Sequence, residues 1–183
     1  EMARQWDFLD SIPPSKPFVY QTDDRHFSID DWWDEAIGHY LRYKFDGQRY
    51  DAVVVNYAFF SKVFDYVPEG TMKILDTHDR LSGRREMLEA NGVQAEFFYT
   101  SSEQENIALN RADVVIAITS EEAAYFRTQT SRPVITVGHV AQRVEITPSA
   151  AKDGVVRLGF LGSSNSINVQ NFNRFLAVSY THL

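Results

Sequence analysis

The sequence predicts an α/β protein built on a doubly wound parallel sheet, and three observations support this prediction. Short apolar runs, typical of buried parallel strands, recur along the chain. Apolar residues at helical spacing separate these runs. At least one run ends in a polar turn of the kind that carries a site, rather than in a hairpin loop. Alternating strands and helices favour a parallel sheet with helices on both faces.

Composition and charge limit the classes of protein to which the chain can belong. Its 183 residues are 44% hydrophobic, which is enough for one real core. The net charge is -7, and acidic and basic residues are interspersed along the chain. No basic face therefore indicates nucleic acid as a partner. The chain has no cysteine, which excludes disulfides, a thiolate zinc site and a cysteine nucleophile. No apolar run approaches the roughly 18 residues of a membrane span. We expect a cytoplasmic protein, with peripheral attachment to the inner face of a membrane left open.

The first helix is predicted to begin at Ser28, after an irregular and helical lead-in at residues 1–27. Asp31 follows Ser28 at the spacing of a helix cap. Trp33 is the first residue of an apolar stripe at helical spacing, and we expect it to pack in the core. Of the adjacent Trp32 and Trp33, only Trp32 then remains a candidate for a surface role, and packing is favoured over sugar stacking. The stripe consists of Trp33, Ala36, Ile37, Tyr40 and Leu41.

Four strands and four helices follow, and residues 28–140 are predicted to form one Rossmann-like domain. The strands are expected at 52–55, 73–75, 113–118 and 133–137, and the helices at 60–67, 84–90, 101–111 and from 119 onward. Ser102 and Glu105 have the spacing of a capping box. Val54 and Ile116 lie within two of the apolar runs, so we expect them to be buried.

A second domain is predicted to start after a polar linker at residues 141–154. A strand at 155–161, a glycine loop and a helix at 169–177 would open a nucleotide-sugar-binding domain over residues 155–177. Residues 178–183 have no cap and no polar stop, and we give this tail no structural weight as a non-native extension. Both ends of the sequence look truncated, and we expect a segment to be missing before residue 1.

Polar residues follow the predicted strands at the points where the strands end. Ligands of open parallel sheets bind outside these carboxyl ends. Helix N-termini at the same edge offer free amides and a positive dipole end. A phosphate-bearing or hydroxyl-rich ligand fits such an edge. The residues expected there are Asn56, Tyr57, Asp76 to Asp79, Thr119, Ser120, Gly138 and His139.

His78 is the centre of the predicted site. A metal site formed by Asp76, His78 and Asp79 is the less favoured alternative, because neighbouring residues at a strand end point in different directions and no second cluster completes a shell. Asp76 fits a structural role in the turn equally well. Arg84 fits either an anionic ligand or a solvated charge.

A glycine loop opens the predicted second domain. Gly162, Ser163 and Ser164 lie between a predicted strand and a predicted helix, where a backbone without a Cβ can approach a phosphate. The loop is neither a dinucleotide fingerprint nor a P-loop, and an ordinary turn explains it about as well.

The chain resembles the GT-B glycosyltransferases of family 4, also called group 1. The residues that carry this resemblance are 50–57, 74–79, 111–118, 134–139 and 158–163, within a region of about 30–176. The resemblance implies two Rossmann-like domains that face a cleft, one for the acceptor and one for the nucleotide-sugar donor. It implies sugar transfer with retention of configuration, without a cofactor and without a metal at the catalytic centre.

The resemblance also implies roles for individual residues. His78 is similar to the cleft histidine that contacts the transferred sugar, and Asp79 beside it is the second catalytic candidate. Gly162 and Ser163 correspond to the loop near the donor diphosphate, with Ser164 next to them. The residues expected to bind substrate are Asn56, Tyr57, Arg84, Thr119, Ser120 and His139.

The expected function is transfer of a sugar from a nucleotide sugar to a glycan or lipid-linked acceptor, in the building of a surface polysaccharide. The family's paired glutamates would lie beyond residue 176, and the glycine-rich loop of the first strand is missing. Residues 1–183 are therefore expected to be inactive alone. A non-catalytic sugar- or nucleotide-binding module and a nucleotide-sugar epimerase are the alternatives, since fold alone does not separate them.

Overall fold

The computed structural model describes residues 7–17, 25–95, 97–138 and 159–180. Its helices are α1 (Glu35–Phe45), the 3-10 helix η1 (Ala58–Asp65), α2 (Arg84–Ala90), α3 (Ser102–Arg111), α4 (Ser120–Gln129) and α5 (Ser166–Tyr180). Its strands are β1 (Ala52–Asn56), β2 (Met72–Asp76), β3 (Val114–Ala117) and β4 (Val134–Thr136). The four strands form one parallel sheet in the order β1-β2-β3-β4. The predicted α/β class with a parallel sheet is confirmed.

One row of apolar side chains crosses all four strands and forms the sheet's part of the core. In register, Val55 lies beside Leu75, Leu75 beside Val115, and Val115 beside Val134. All four are buried, and Leu75 and Val115 are fully so. Branched side chains pack well on the pleated surface of a sheet, which explains why such short runs form strands here.

The connecting helices cover a single face of this sheet. η1 packs against α3, and α3 packs against α4. Phe64 of η1, Leu109 of α3 and Phe126 of α4 belong to the same buried cluster. Because the strand order equals the chain order, right-handed crossovers place every connection on the same side. Because the strands are parallel, their carboxyl ends lie at one edge of the sheet, where a site can form.

The opposite face of the sheet is open in the part of the chain that the structure describes. Val54 is 55% exposed, and Met72 and Ile135 on the same face are also exposed. Ile116 is only partly buried. The prediction of helices on both faces is thus wrong for the described residues, and so is the expectation that Val54 is buried. Right-handed crossovers reach the second face where the strand order reverses, and the described sheet has no such reversal.

Helix α1 begins after Asp34 instead of at Ser28. The carboxylate of Asp34 accepts the amide of Ala36 at 2.9 Å and caps the helix. It also accepts hydrogen bonds from Ser15, and these bonds and that of Ala36 lower the pKa of Asp34 to about 2. Ser28 instead donates its amide to Asp31 at 2.9 Å within a turn. The predicted cap residues are therefore paired, but they form a turn that precedes the helix.

The two tryptophans both pack inward. Trp33 is buried, as predicted, although it precedes α1. The ring of Trp32 lies 4.9 Å from that of Phe59 and 5.1 Å from that of Phe98. Trp32 also contacts Phe27 edge-on at 5.7 Å. The favoured packing interpretation holds for Trp32 and the less favoured surface role does not, because an aromatic cluster from three segments surrounds its ring.

The C-terminal part differs from the prediction at both of its described boundaries. Residues 159–161 form no strand, whereas the predicted strand covered 155–161. Helix α5 runs to Tyr180, three residues beyond the predicted end at 177. The predicted linker at 141–154 lies outside the described residues. Neither α5 nor any other described helix combines the length and apolar character needed to cross a membrane.

Candidate functional site

The carboxyl ends of β1 and β2 bring three predicted site residues together. Asn56 and Asp76 are register partners at the ends of these strands. His78 follows two residues after Asp76, and its Nε2 lies 3.4 Å from Oδ2 of Asp76. The same Nε2 lies 3.3 Å from Oδ1 of Asn56. The sheet register therefore joins residues that are more than twenty positions apart in sequence.

Tyr57 provides one face of the site. Its ring stacks on the imidazole of His78, with centroids 4.5 Å apart and planes at 23°. The same tyrosine stacks on Phe59 at 5.1 Å, and Phe59 is buried in the core. The imidazole thus rests on a column of rings that continues into the interior. It still keeps 38% of its side-chain surface exposed, so it is both supported and accessible.

The backbone of the site adopts the left-handed conformation at non-glycine residues. The φ angle is 69° at Tyr57 and 58° at His78. Phe97 has a φ of 68° and is the third such residue in the described part of the chain. Each non-glycine residue in this conformation lowers the stability of the folded state by on the order of 1 kcal/mol or more. Backbone strain of this kind clusters at functional sites. The strain therefore supports the assignment of this region as a site.

Phe97 is a member of the site that the sequence did not reveal. Its ring lies 6.2 Å from that of Tyr57 and 5.1 Å from that of Trp32, edge-on in both cases. It is nevertheless 42% exposed. An exposed aromatic ring beside Tyr57, which itself stacks on His78, offers an apolar surface to a ligand. Only the left-handed backbone and these ring contacts identify Phe97, since its sequence position looks like an ordinary apolar residue.

Asp79 and Arg84 pair with each other instead of with His78. Nη1 of Arg84 lies 3.6 Å from Oδ2 of Asp79. Asp79 also donates its amide to the carbonyl of Thr77 at 2.7 Å, which turns the chain away from the strand. The structure describes no contact between Asp79 and the imidazole. The Nε of Arg84 is buried without a hydrogen-bond partner among the described residues, as is Oδ1 of Asp76.

The predicted site residues near β3 and β4 have other surroundings. Thr119 caps α4, because its hydroxyl accepts the amide of Glu122 at 3.1 Å. Ser120 is the exposed first residue of that helix. Gly138 is exposed after β4, and His139 lies outside the described residues. The structure gives Thr119 a role in capping and describes no contact between it and His78.

A buried glutamate fixes the loop that carries His78. The carboxylate of Glu105 accepts the amide of Leu81 at 2.7 Å, and the hydroxyl of Ser82 at 2.5 Å. Glu105 is 1% exposed, and this burial raises the pKa of its carboxyl group. The sequence predicted Glu105 as the capping partner of Ser102. The cap is instead Ser101, so the side chain of Glu105 is free to turn into the core.

The same loop is attached to its surroundings at two further points. Thr77 donates its hydroxyl to the carbonyl of Ile116 at 2.9 Å. Ser82 accepts a hydrogen bond from the hydroxyl of Tyr125 at 2.8 Å, and the guanidinium of Arg80 lies 3.5 Å above the ring of Tyr125. The chain is therefore anchored before and after His78, which leaves the imidazole projecting from a fixed loop.

No protein-family model matches this chain, and no curated protein matches it significantly. The resemblance to GT-B glycosyltransferases therefore stays a prediction. The chemistry that can be assigned to the site depends on its geometry alone.

The glycine loop lies apart from these contacts. Ser163 accepts a hydrogen bond from Asn168 at 3.1 Å, and Asn165 accepts the amide of Asn168 at 2.8 Å at the start of α5. Gly162 and Ser164 are exposed. Helix α5 reaches the main body through Arg174, which donates to the carbonyl of Asn91 at 2.9 Å. The structure describes no contact between this loop and His78.

The described residues contain no group of three or more histidine, aspartate or glutamate side chains that could hold a metal ion. The contacts of His78 offer hydrogen bonds and ring contacts. An imidazole donates or accepts a hydrogen bond according to its protonation. An aromatic surface packs against the apolar face of a flat or ring-shaped ligand. Together these groups suit a ligand with hydroxyl groups on a ring.

Proposed function

We propose that this chain is the acceptor-side part of a retaining glycosyltransferase, in which His78 contacts the sugar that is transferred. The observation that carries the proposal is the position of the imidazole, projecting at the carboxyl ends of parallel strands and stacked on Tyr57. An exposed aromatic ring, Phe97, lies next to Tyr57. Sugars present hydroxyl groups at their edges and C–H groups on their faces. Polar and aromatic side chains side by side complement both.

The chemistry of sugar transfer explains what His78, Tyr57 and Phe97 would contribute. Its transition state has oxocarbenium character, and hydrogen bonds to the hydroxyl groups of the sugar strengthen as charge develops. His78 supplies such a hydrogen bond from a loop that is anchored on both sides. Tyr57 and Phe97 supply surfaces for the ring. The donor is a nucleotide sugar, and the acceptor is a hydroxyl group of a glycan or of a lipid-linked glycan.

Binding of simple sugars by residues 1–183 tests the sugar-binding part of the proposal. Saturation-transfer NMR with glucose, galactose, mannose and N-acetylglucosamine is expected to detect binding of at least one of them. The variant Tyr57→Asn removes the ring but tolerates the left-handed backbone, and it should abolish the signal. Tyr43→Ala is the matched control, because Tyr43 is an exposed tyrosine on α1. Absence of binding by every hexose, or undiminished binding by Tyr57→Asn, would contradict the proposal.

Turnover by the intact protein tests the reaction. A transferase consumes a nucleotide sugar only when a hydroxyl acceptor is present. An epimerase would convert the nucleotide sugar without an acceptor, and a binding module would show affinity without turnover. Residues 1–183 by themselves are expected to be inactive, and turnover of a nucleotide sugar by this part would contradict that expectation.

A further inference from the structure

Two hydrogen-bond acceptors face the same ring nitrogen of His78. Nε2 lies 3.4 Å from the carboxylate of Asp76 and 3.3 Å from the amide oxygen of Asn56. Carboxylate and amide oxygens both have lone pairs that attract a donor, so a proton on Nε2 is favoured by both groups, whereas a bare Nε2 would face two acceptors. A neutral imidazole carries a single N–H. Its other nitrogen, Nδ1, then has a free lone pair.

Among the described residues, no contact of Nδ1 is recorded, and Nδ1 is not one of the buried side-chain atoms that lack a partner. Tyr57 covers one face of the ring, and the strand ends occupy the edge at Nε2. Within residues 7–17, 25–95, 97–138 and 159–180, the only polar contacts of the imidazole are those two contacts of Nε2. The edge that carries Nδ1 is therefore the edge available to a ligand.

Both acceptors are held by the sheet instead of by a loop. Asn56 and Asp76 are paired in register at the ends of β1 and β2. The next pair inward, Val55 and Leu75, is buried in the core. Side chains on such strand ends keep their positions more precisely than side chains on loops. The direction of the imidazole is thus set by the register of two strands.

We propose that Asp76 and Asn56 are positioning residues that hold His78 as the Nε2–H tautomer, so that Nδ1 accepts a hydrogen bond from a ligand hydroxyl. The identity of the ligand rests on the proposed function, whereas the tautomer does not. A histidine held in this way selects ligands that donate a hydrogen bond to Nδ1. A sugar hydroxyl is bound, and the same sugar with that hydroxyl removed or methylated is not.

The tautomer is tested by NMR on residues 1–183. Long-range proton–nitrogen spectra at about pH 8.5, where an ordinary imidazole is neutral, distinguish the protonated ring nitrogen from the bare one. The signals of His78 are assigned by their loss in His78→Asn. We expect a single Nε2–H tautomer in the unaltered chain. An Nδ1–H tautomer, or signals averaged between the two forms, would overturn the proposal.

Variants separate positioning from simple loss of structure. Asp76→Asn replaces the carboxylate with an amide that can also donate, and Asn56→Ala removes the second acceptor at an exposed position. Each should shift the tautomer equilibrium of His78 towards Nδ1–H. The matched control is Asp79→Asn, because Asp79 is an acidic neighbour in the same loop that pairs with Arg84. If the Asp76→Asn and Asp79→Asn spectra both kept the pure Nε2–H form, Asp76 would have no positioning role.

Sugar titration tests the direction in which the imidazole faces. A hexose that binds should move the Nδ1 signal of His78 more than the Nε2 signal, and its single-deoxy analogues should include one that binds at least tenfold more weakly. Movement of Nε2 alone would show that the ligand meets the other edge and would overturn the proposal. If no hexose bound, the proposed function and the role of Nδ1 would both fail. The NMR measurement of the tautomer would still decide whether Asp76 and Asn56 position His78.

Discussion

Ser82 donates its hydroxyl to the fully buried carboxylate of Glu105 at 2.5 Å. Through this bond and the amides of Leu81 and Ser82, helix α3 fixes the loop that follows β2. The loop carries His78, so the accuracy of the site depends on a glutamate in the core.

Replacing Glu105 should destabilise the protein strongly. Glu105→Ala leaves the amide of Leu81 and the hydroxyl of Ser82 without their acceptor inside the core. Each buried unsatisfied group costs about 1 to 3 kcal/mol, so we expect a loss of about 2 to 5 kcal/mol in the free energy of unfolding. Urea denaturation measures it. The control is Glu103→Ala on the same helix, which is exposed and should cost under about 1 kcal/mol. Equal losses in the two variants would contradict the role of Glu105.

The same residue should make stability depend on pH. Burial raises the pKa of Glu105 above its ordinary value of 4.5. Between that value and the higher pKa of the folded state, the native protein binds more protons than the unfolded chain. The free energy of unfolding therefore falls as pH rises through this window. Glu105→Gln lacks the titrating group, so its stability relative to the unaltered protein should increase over the window. Urea denaturation from pH 4 to pH 8 measures the difference, and parallel curves would contradict the prediction.

Asp34 should hold the N-terminal segment against α1. It accepts hydrogen bonds from the amide of Ser15 at 2.7 Å and from the amide of Ala36 at 2.9 Å. Asp34→Ala removes both acceptors, so hydrogen exchange at these two amides should become faster. NMR exchange measurements resolve them individually. Asp31→Ala serves as the control, since Asp31 accepts the amide of Ser28 instead, and it should leave both rates unchanged.

Two apolar residues on neighbouring strands should differ sharply in their effect on stability. Leu75 is 0% exposed, and Leu75→Ala should cost about 2 to 5 kcal/mol as a core cavity. Val54 is 55% exposed on the open face, and Val54→Ala should cost under about 1 kcal/mol. Urea denaturation compares them directly. A cost above about 2 kcal/mol for Val54→Ala, in the range of a core cavity, would show that something covers this face in solution.

Loss of the imidazole should impair catalysis by the intact protein. His78→Ala is expected to lower kcat/KM by about 10²-fold or more, as removal of a polar contact to the transition state does. His78→Asn should have the same effect while tolerating the left-handed backbone. His39→Ala changes an exposed histidine on α1 and should leave kcat/KM unaltered. Unaltered kinetics in both His78 variants would remove this residue from the mechanism.

The elements with strong local signals were predictable. The apolar runs indicated the four parallel strands, and the predicted helix at 84–90 and the predicted helix start at 119 agree with α2 and with the cap of α4. Polar residues at strand ends indicated the edge that carries the site, and they included Asn56, Tyr57 and His78. These predictions depend on periodicity and backbone chemistry, which act over a few residues and are visible in one sequence.

Contacts between distant segments were not predictable. Glu105 and Ser102 had the spacing of a capping box, yet the helix has its cap one residue earlier, and Glu105 instead anchors a loop more than twenty residues away. The sequence left a surface role open for Trp32, and the aromatic rings of other segments that surround it exclude that role. In both cases the local pattern allowed two outcomes, and packing chose between them.

Patterns along the chain were enough to establish the class of fold and the edge of the sheet at which a site can form, because both follow from the alternation of strands and helices. Packing in three dimensions settled which face of the sheet is covered, which ring supports His78 and which of its nitrogens lies against the strand ends. Those features depend on strand order and register. These bring Asn56 to Asp76 and Tyr57 to His78, and no local pattern contains them.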